Sequence, residues 1–77
     1  MVRVRLFGSL RIRIGFQGMD VEAANITEVC RILARETGHE EKEFRRCLFV
    51  LNGAPCGIRA RLADGDELML LSPSGGG

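Results

Sequence analysis

The stretch NITEVCRILARETG, residues 25–38, is the clearest helix signal in the chain and presents a single apolar stripe. Asn25 is a good N-cap, Glu28 three residues on completes a capping box, and Gly38 stands where a left-handed C-cap belongs. Ile26, Val29, Cys30, Leu33 and Ala34 recur at helical spacing, with Arg31, Arg35 and Glu36 largely outside the stripe. A helix with one apolar stripe must bury it against a second layer. The segments around it alternate with period two, so that layer is a sheet, and a chain of 77 residues has room for one small core of this kind.

In VRVRLF, Val2, Val4 and Leu6 share one face while Arg3, Arg5 and Phe7 share the other, the pattern of a half-buried strand. GSLRIRIGFQG fits two readings, a second hairpin strand through Ile12 and Ile14 or a short helical turn capped by Ser9 and ending at Gly15. MDVEA alternates again as strand two. HEEKEF is polar and reads as a loop; CLFVLNG is a β-branched and aromatic run closing on an Asn-Gly turn, with a short return strand through APCG. Asp64-Gly65-Asp66 marks a turn before a last strand with Leu68 and Leu70 on one face and Met69 and Leu71 on the other. The expected class is α+β, a roll with a mixed sheet of four to five strands packed on one main helix.

Composition excludes several function classes. At 45% hydrophobic and 27% charged the chain has an ordinary globular balance, and no apolar run approaches the ~20 residues that cross a bilayer. MVRVRLF has neither the apolar core nor the cleavage site of a signal peptide, so the expected location is the cytoplasm, with no membrane partner. Cys30, Cys47 and Cys56 are odd in number, widely spaced and without a CxxC, which argues for buried free thiols and no metal site. His39 reads as a loop residue. No phosphate-binding loop, dinucleotide motif or nucleophile elbow appears, so the chain reads as the partner of an enzyme and not as one itself.

After the last strand come six residues, SPSGGG. Fully extended, six residues at ~3.3 Å each reach ~20 Å, enough to enter a neighbouring active site. Glycine lacks a Cβ and threads channels too narrow for side chains, which would bring the Gly77 carboxylate to a nucleotide phosphate. Pro73 has no backbone donor and would end the ladder of the last strand. Read from composition alone, the same residues are a frayed terminus.

The order of elements and these motifs resemble one family, the ubiquitin-like β-grasp sulfur carriers of which MoaD and ThiS are the familiar types. The resemblance covers essentially the whole chain and rests on VRVRLFGSLR, the capped helix at Asn25, LNG at Leu51 to Gly53, and LADGDELMLLSPSGGG. The last is the most specific: Asp64, Gly65, Asp66, Glu67, Pro73, Gly76 and Gly77 match the MoaD-type order of turn, apolar strand, proline spacer and terminal Gly-Gly. Two features depart from it, a more polar spacer and a third glycine, Gly75, which is more like ThiS tails. The resemblance implies a β-grasp domain over residues 1–71 and a flexible glycine-rich tail over 72–77.

It also implies a mechanism. An E1-like adenylyltransferase (MoeB/ThiF-like) adenylates the Gly77 carboxylate with ATP, a sulfurtransferase supplies persulfide sulfur that replaces AMP, and the resulting thiocarboxylate donates its sulfur. No cofactor is bound permanently. For a MoaD-type chain the acceptor is a pterin held by the large subunit of molybdopterin synthase (MoaE-like), as part of molybdenum or tungsten cofactor synthesis; for a ThiS-type chain it is a thiazole precursor of thiamin. Gly75, Gly76 and Pro73 would then thread and hold the tail, with Phe7 contacting the partner from the sheet face opposite the helix and Arg11, which matches a family position, pairing with acidic groups on the partner.

Two other classes compete. One is a ubiquitin-like modifier joined through Gly77 to target lysines; this chain has a single lysine, Lys42, and so little scope for lysine-linked self-polymerisation. The other is a small RNA-binding module using Arg3, Arg5, Phe7 and Arg13. Arg3, Arg5, Arg11 and Arg13 all precede the first acid, Asp20, but the net charge is only +1 and no aromatic RNA-binding pattern accompanies them, so nucleic acid is not the expected partner.

Overall fold

The computed structural model describes residues 1–73. Five strands, β1 (Val2–Phe7), β2 (Gly18–Val21), β3 (Leu48–Leu51), β4 (Ala54–Cys56) and β5 (Glu67–Leu71), form one mixed sheet in the order β2-β1-β5-β3-β4. β1 and β5 run parallel in the middle, and the remaining neighbours are antiparallel. The first and last strands are therefore interior, β1 lying between β2 and β5, and β5 between β1 and β3.

The main helix, α2 (Ile26–Thr37), buries Ile26, Val29, Cys30 and Leu33 completely, joining them to Val2, Val4, Leu6, Phe49, Leu68 and Leu70 in one core. Asn25 caps it by accepting the Glu28 N–H at 2.9 Å, and Gly38 closes it in the left-handed conformation. Glu28 reaches back one residue further than a capping box requires, accepting from the Ala24 N–H at 2.7 Å. The expected alternation of β1 holds, with Val2, Val4 and Leu6 at most 2% exposed.

The open question over residues 9–17 resolves as helix: α1 spans Gly8–Ile14 and ends at Gly15, whose N–H donates to the Arg11 carbonyl at 2.9 Å. Leu10 is fully buried while Ile12 is 82% exposed, so burial follows helical and not strand spacing. Ser9 is not its cap; the position before α1 is Phe7, with no side-chain cap bond. The expected loop HEEKEF is instead a short helix, α3 (Glu41–Arg45), bounded by reciprocal Glu40 and Glu43 capping bonds and anchored by Phe44, which is fully buried. Its single apolar residue gives no periodicity to read in the sequence, but one aromatic ring supplies most of the burial a single turn needs.

β3 and β4 are joined by a tight turn in which Asn52 and Gly53 have φ of 49° and 86°, the pair of positive values that matches the twist of a two-residue hairpin. At Gly18 the reason for glycine is proximity: a Cβ there would run into the Val4 carbonyl oxygen across the β1–β2 pairing.

Candidate functional site

The sheet face away from α2 is built by strict alternation. β1 presents Arg3, Arg5 and Phe7 there, and the parallel register sets Glu67, Met69 and Leu71 of β5 beside them in that order. β3 adds Leu48 opposite Leu71 and Val50 opposite Met69. The result is an apolar strip of Phe7, Leu71, Leu48, Met69 and Val50 running across three strands, with Leu48 53% exposed. Leu48 is the exposed member of this row and the other four are half-buried, so the face offers a contiguous apolar contact that a partner could cover.

Charge borders this strip on the β2 side. Arg3 Nε lies 3.1 Å from Asp20 Oδ1, and Arg5 Nε lies 3.4 Å from Glu67 Oε2. Arg13 is likewise matched, 3.6 Å from Glu43 Oε1. Arg11 has no carboxylate partner among the described residues; it shares with Phe7 one end of a shallow groove whose other end is the Arg3–Asp20 pair. The structure thus brings Phe7 and Arg11 together. Pro73 is exposed and follows β5 by two residues, beyond the last ladder position at Leu71. Gly75, Gly76 and Gly77 lie outside the described residues.

The strip extends the sequence reading, which singled out Phe7 alone. The signal for Met69 and Leu71 was their alternation with Leu68 and Leu70; for Leu48 and Val50 it was alternation around Phe49. What the sequence could not supply was the β5–β3 register that lays the two rows side by side.

The remaining chemistry of the described residues is quiet. Burial, with a smaller contribution from Cys47, pushes the Cys30 thiol up to about 12, and burial pushes Cys47 up to about 11. Neither is a thiolate at neutral pH, and Cys56 shifts in the same direction for the same reason. Among the described residues no three His, Cys, Asp or Glu side chains converge as metal ligands would, and no helix is long and apolar enough to cross a membrane. His39 sits before α3 with Nδ1 3.4 Å from Glu43 Oε2.

The architecture is that of the ubiquitin-like β-grasp proteins, as the sequence resemblance implied. The small archaeal modifier protein 1 of Methanosarcina acetivorans superposes with a TM-score of 0.77 at 24% identity, over 99% of this chain and 95% of that one. A chain from the complex of subunits 1 and 2 of the molybdopterin-converting factor of Helicobacter pylori gives 0.68 at 28% identity, over 99% and 97%. A chain from the BexX/CysO complex of Amycolatopsis orientalis gives 0.74 at 21% identity over the full length of both. No family model matches the chain, and no curated protein matches it in sequence. These neighbours share with this chain the ubiquitin-like β-grasp fold, over nearly the whole length of each.

Proposed function

We propose that this protein is a sulfur carrier of the MoaD type, in which the carboxylate of Gly77 is the reactive group and the β-grasp body is a handle for its partners. The observation that carries the reading is the path of the last strand. β5 lies centrally beside β1, ends next to the apolar strip at Leu71, and leads through Pro73 into Gly75, Gly76 and Gly77.

On this reading an E1-like adenylyltransferase binds the strip, with Phe7 as an apolar contact and Arg11 pairing with an acidic group at its edge. The Gly77 carboxylate oxygen attacks the α-phosphorus of ATP and releases pyrophosphate. A carboxylate is a poor acyl electrophile until its oxygen is part of a good leaving group, and AMP is one. The terminal sulfur of a persulfide on a sulfurtransferase cysteine then displaces AMP to give an acyl disulfide; a second protein thiol attacks its S–S bond, leaving a disulfide and freeing the thiocarboxylate, which travels to an acceptor, for which a pterin held by a MoaE-like large subunit is the preferred choice. The similarity to a chain of the molybdopterin-converting factor complex supports that choice. The body contributes binding and orientation, and ATP belongs to the activating enzyme.

A second reading, a protein modifier, is favoured by the similarity to small archaeal modifier protein 1. Isopeptide-linked conjugates in cell lysate would distinguish it. The RNA-binding reading loses support because Arg3, Arg5 and Arg13 each face a carboxylate.

The test is ATP–pyrophosphate exchange by an E1-like adenylyltransferase, stimulated by this chain. One residue added after Gly77 is expected to abolish the stimulation while leaving thermal unfolding unchanged. Undiminished exchange with the extended chain would contradict a role for the Gly77 carboxylate.

A further inference from the structure

We propose that Ser9 is a positioning residue that sets the direction in which the chain leaves β5. Because β1 and β5 are parallel and in register at Phe7 and Leu71, both strands end at the same edge of the sheet. There the chain turns from β1 into α1 at Gly8, where φ is +65°, while Ser72 continues outward from β5. The Ser9 hydroxyl donates to Ser72 Oγ at 2.9 Å, bridging the two exits.

Ser9 is the second residue of α1, two positions past the N-cap site from which a serine satisfies a helix's free N–H groups, so its hydroxyl is available to a partner outside the helix. Here α1 has no side-chain cap bond, and the Ser9 hydroxyl is committed to Ser72. Ser9 is itself exposed, but the helix that carries it is anchored. The next residue, Leu10, is fully buried, and Arg13 ties the far end of α1 to Glu43 of α3 at 3.6 Å.

Ser72 is an effective place to hold the chain. The residue before a proline is confined to extended conformations and proline fixes its own φ, so an orientation imposed at Ser72 passes through Pro73 with little loss. The inference rests on the carrier reading for its purpose, which is to aim the following glycines at an activating enzyme, but the hydrogen bond is a separate property of the fold.

The experiment compares the full chain with Ser9→Ala, Ser9→Thr, Ser72→Ala and the Ser9→Ala/Ser72→Ala double variant. In adenylation by an E1-like enzyme that activates the wild-type chain, Ser9→Ala is expected to raise KM about two- to ten-fold, the scale of one hydrogen bond, with kcat unchanged. Thr at position 9 keeps the hydroxyl and should restore KM. The double variant should be no worse than either single one. An unchanged KM for Ser9→Ala, or additive effects in the double variant, would overturn the positioning role.

Three-bond couplings give a second readout that needs no partner. Ser72 should occupy one χ1 rotamer in the wild type and average over several in Ser9→Ala. Averaging already present in the wild type would overturn the proposal. If no E1-like enzyme activates the wild-type chain, the carrier reading fails and the couplings alone decide whether Ser9 holds Ser72.

Discussion

At the scale of single residues, the protein keeps its reactive side chains out of play. Burial disfavours the Cys30 and Cys47 thiolates, whereas Cys56 on the edge strand β4 is partly exposed. Pulsed alkylation of the native protein near pH 8, read by mass, should label Cys56 well before the other two; comparable labelling of all three would mean the core opens readily. Asp66 shows the opposite behaviour. The Ala63 N–H, at 2.7 Å, and the Asn52 side-chain amide, at 3.0 Å, hold its carboxyl below the ordinary value of 3.8. A lowered folded-state pKa stabilises the fold above the unfolded value and loses that stabilisation as pH falls through the folded one. Asp66→Asn should therefore flatten the fall in Tm below about pH 4. An identical acid profile for the variant would contradict this role. The Asp-Gly-Asp turn was legible in the sequence, but its bonds to Asn52 were not, because they join turns 14 residues apart.

At the scale of elements, legibility followed periodicity. β1, α2 and β5 each carry several apolar residues at one spacing, and each lies where alternation or helical recurrence put it. α1 left two readings open because Ile12 and Ile14 alternate with arginines as a strand would, and only the burial of Leu10 against exposure of Ile12 separates them. α3 was read as a loop because Phe44 is its single apolar anchor. Phe44→Ala should accordingly cost ~3–5 kcal/mol in urea unfolding, where an exposed loop position would cost almost nothing. Asn25→Ala removes the cap of α2 and should cost ~1 kcal/mol. Leu33→Ala should cost ~2–5 kcal/mol, and an unchanged midpoint would show that the stripe is not the core face. The apolar strip belongs to this scale too. Its residues were each visible, but its continuity depends on the β5–β3 register, which no local pattern encodes.

At the scale of the whole molecule, the central place of β5 connects fold to proposed function. A chain this short draws only ~3–5 kcal/mol from its core, so a strand that carries a working tail is best held from both sides, as β5 is by β1 and β3. On the proposed reading the body supplies a docking face, while the chemistry is assigned to the Gly77 carboxylate, which an activating enzyme and not a side chain of this protein would activate. The most direct measurement is the intact mass of the protein after incubation with an E1-like adenylyltransferase, ATP and a persulfide donor, set against a chain lacking Gly76 and Gly77. The account predicts an exchange of one oxygen for sulfur in the native chain alone. The same exchange in both chains, or none in either with an enzyme proven active on another β-grasp carrier, would contradict it.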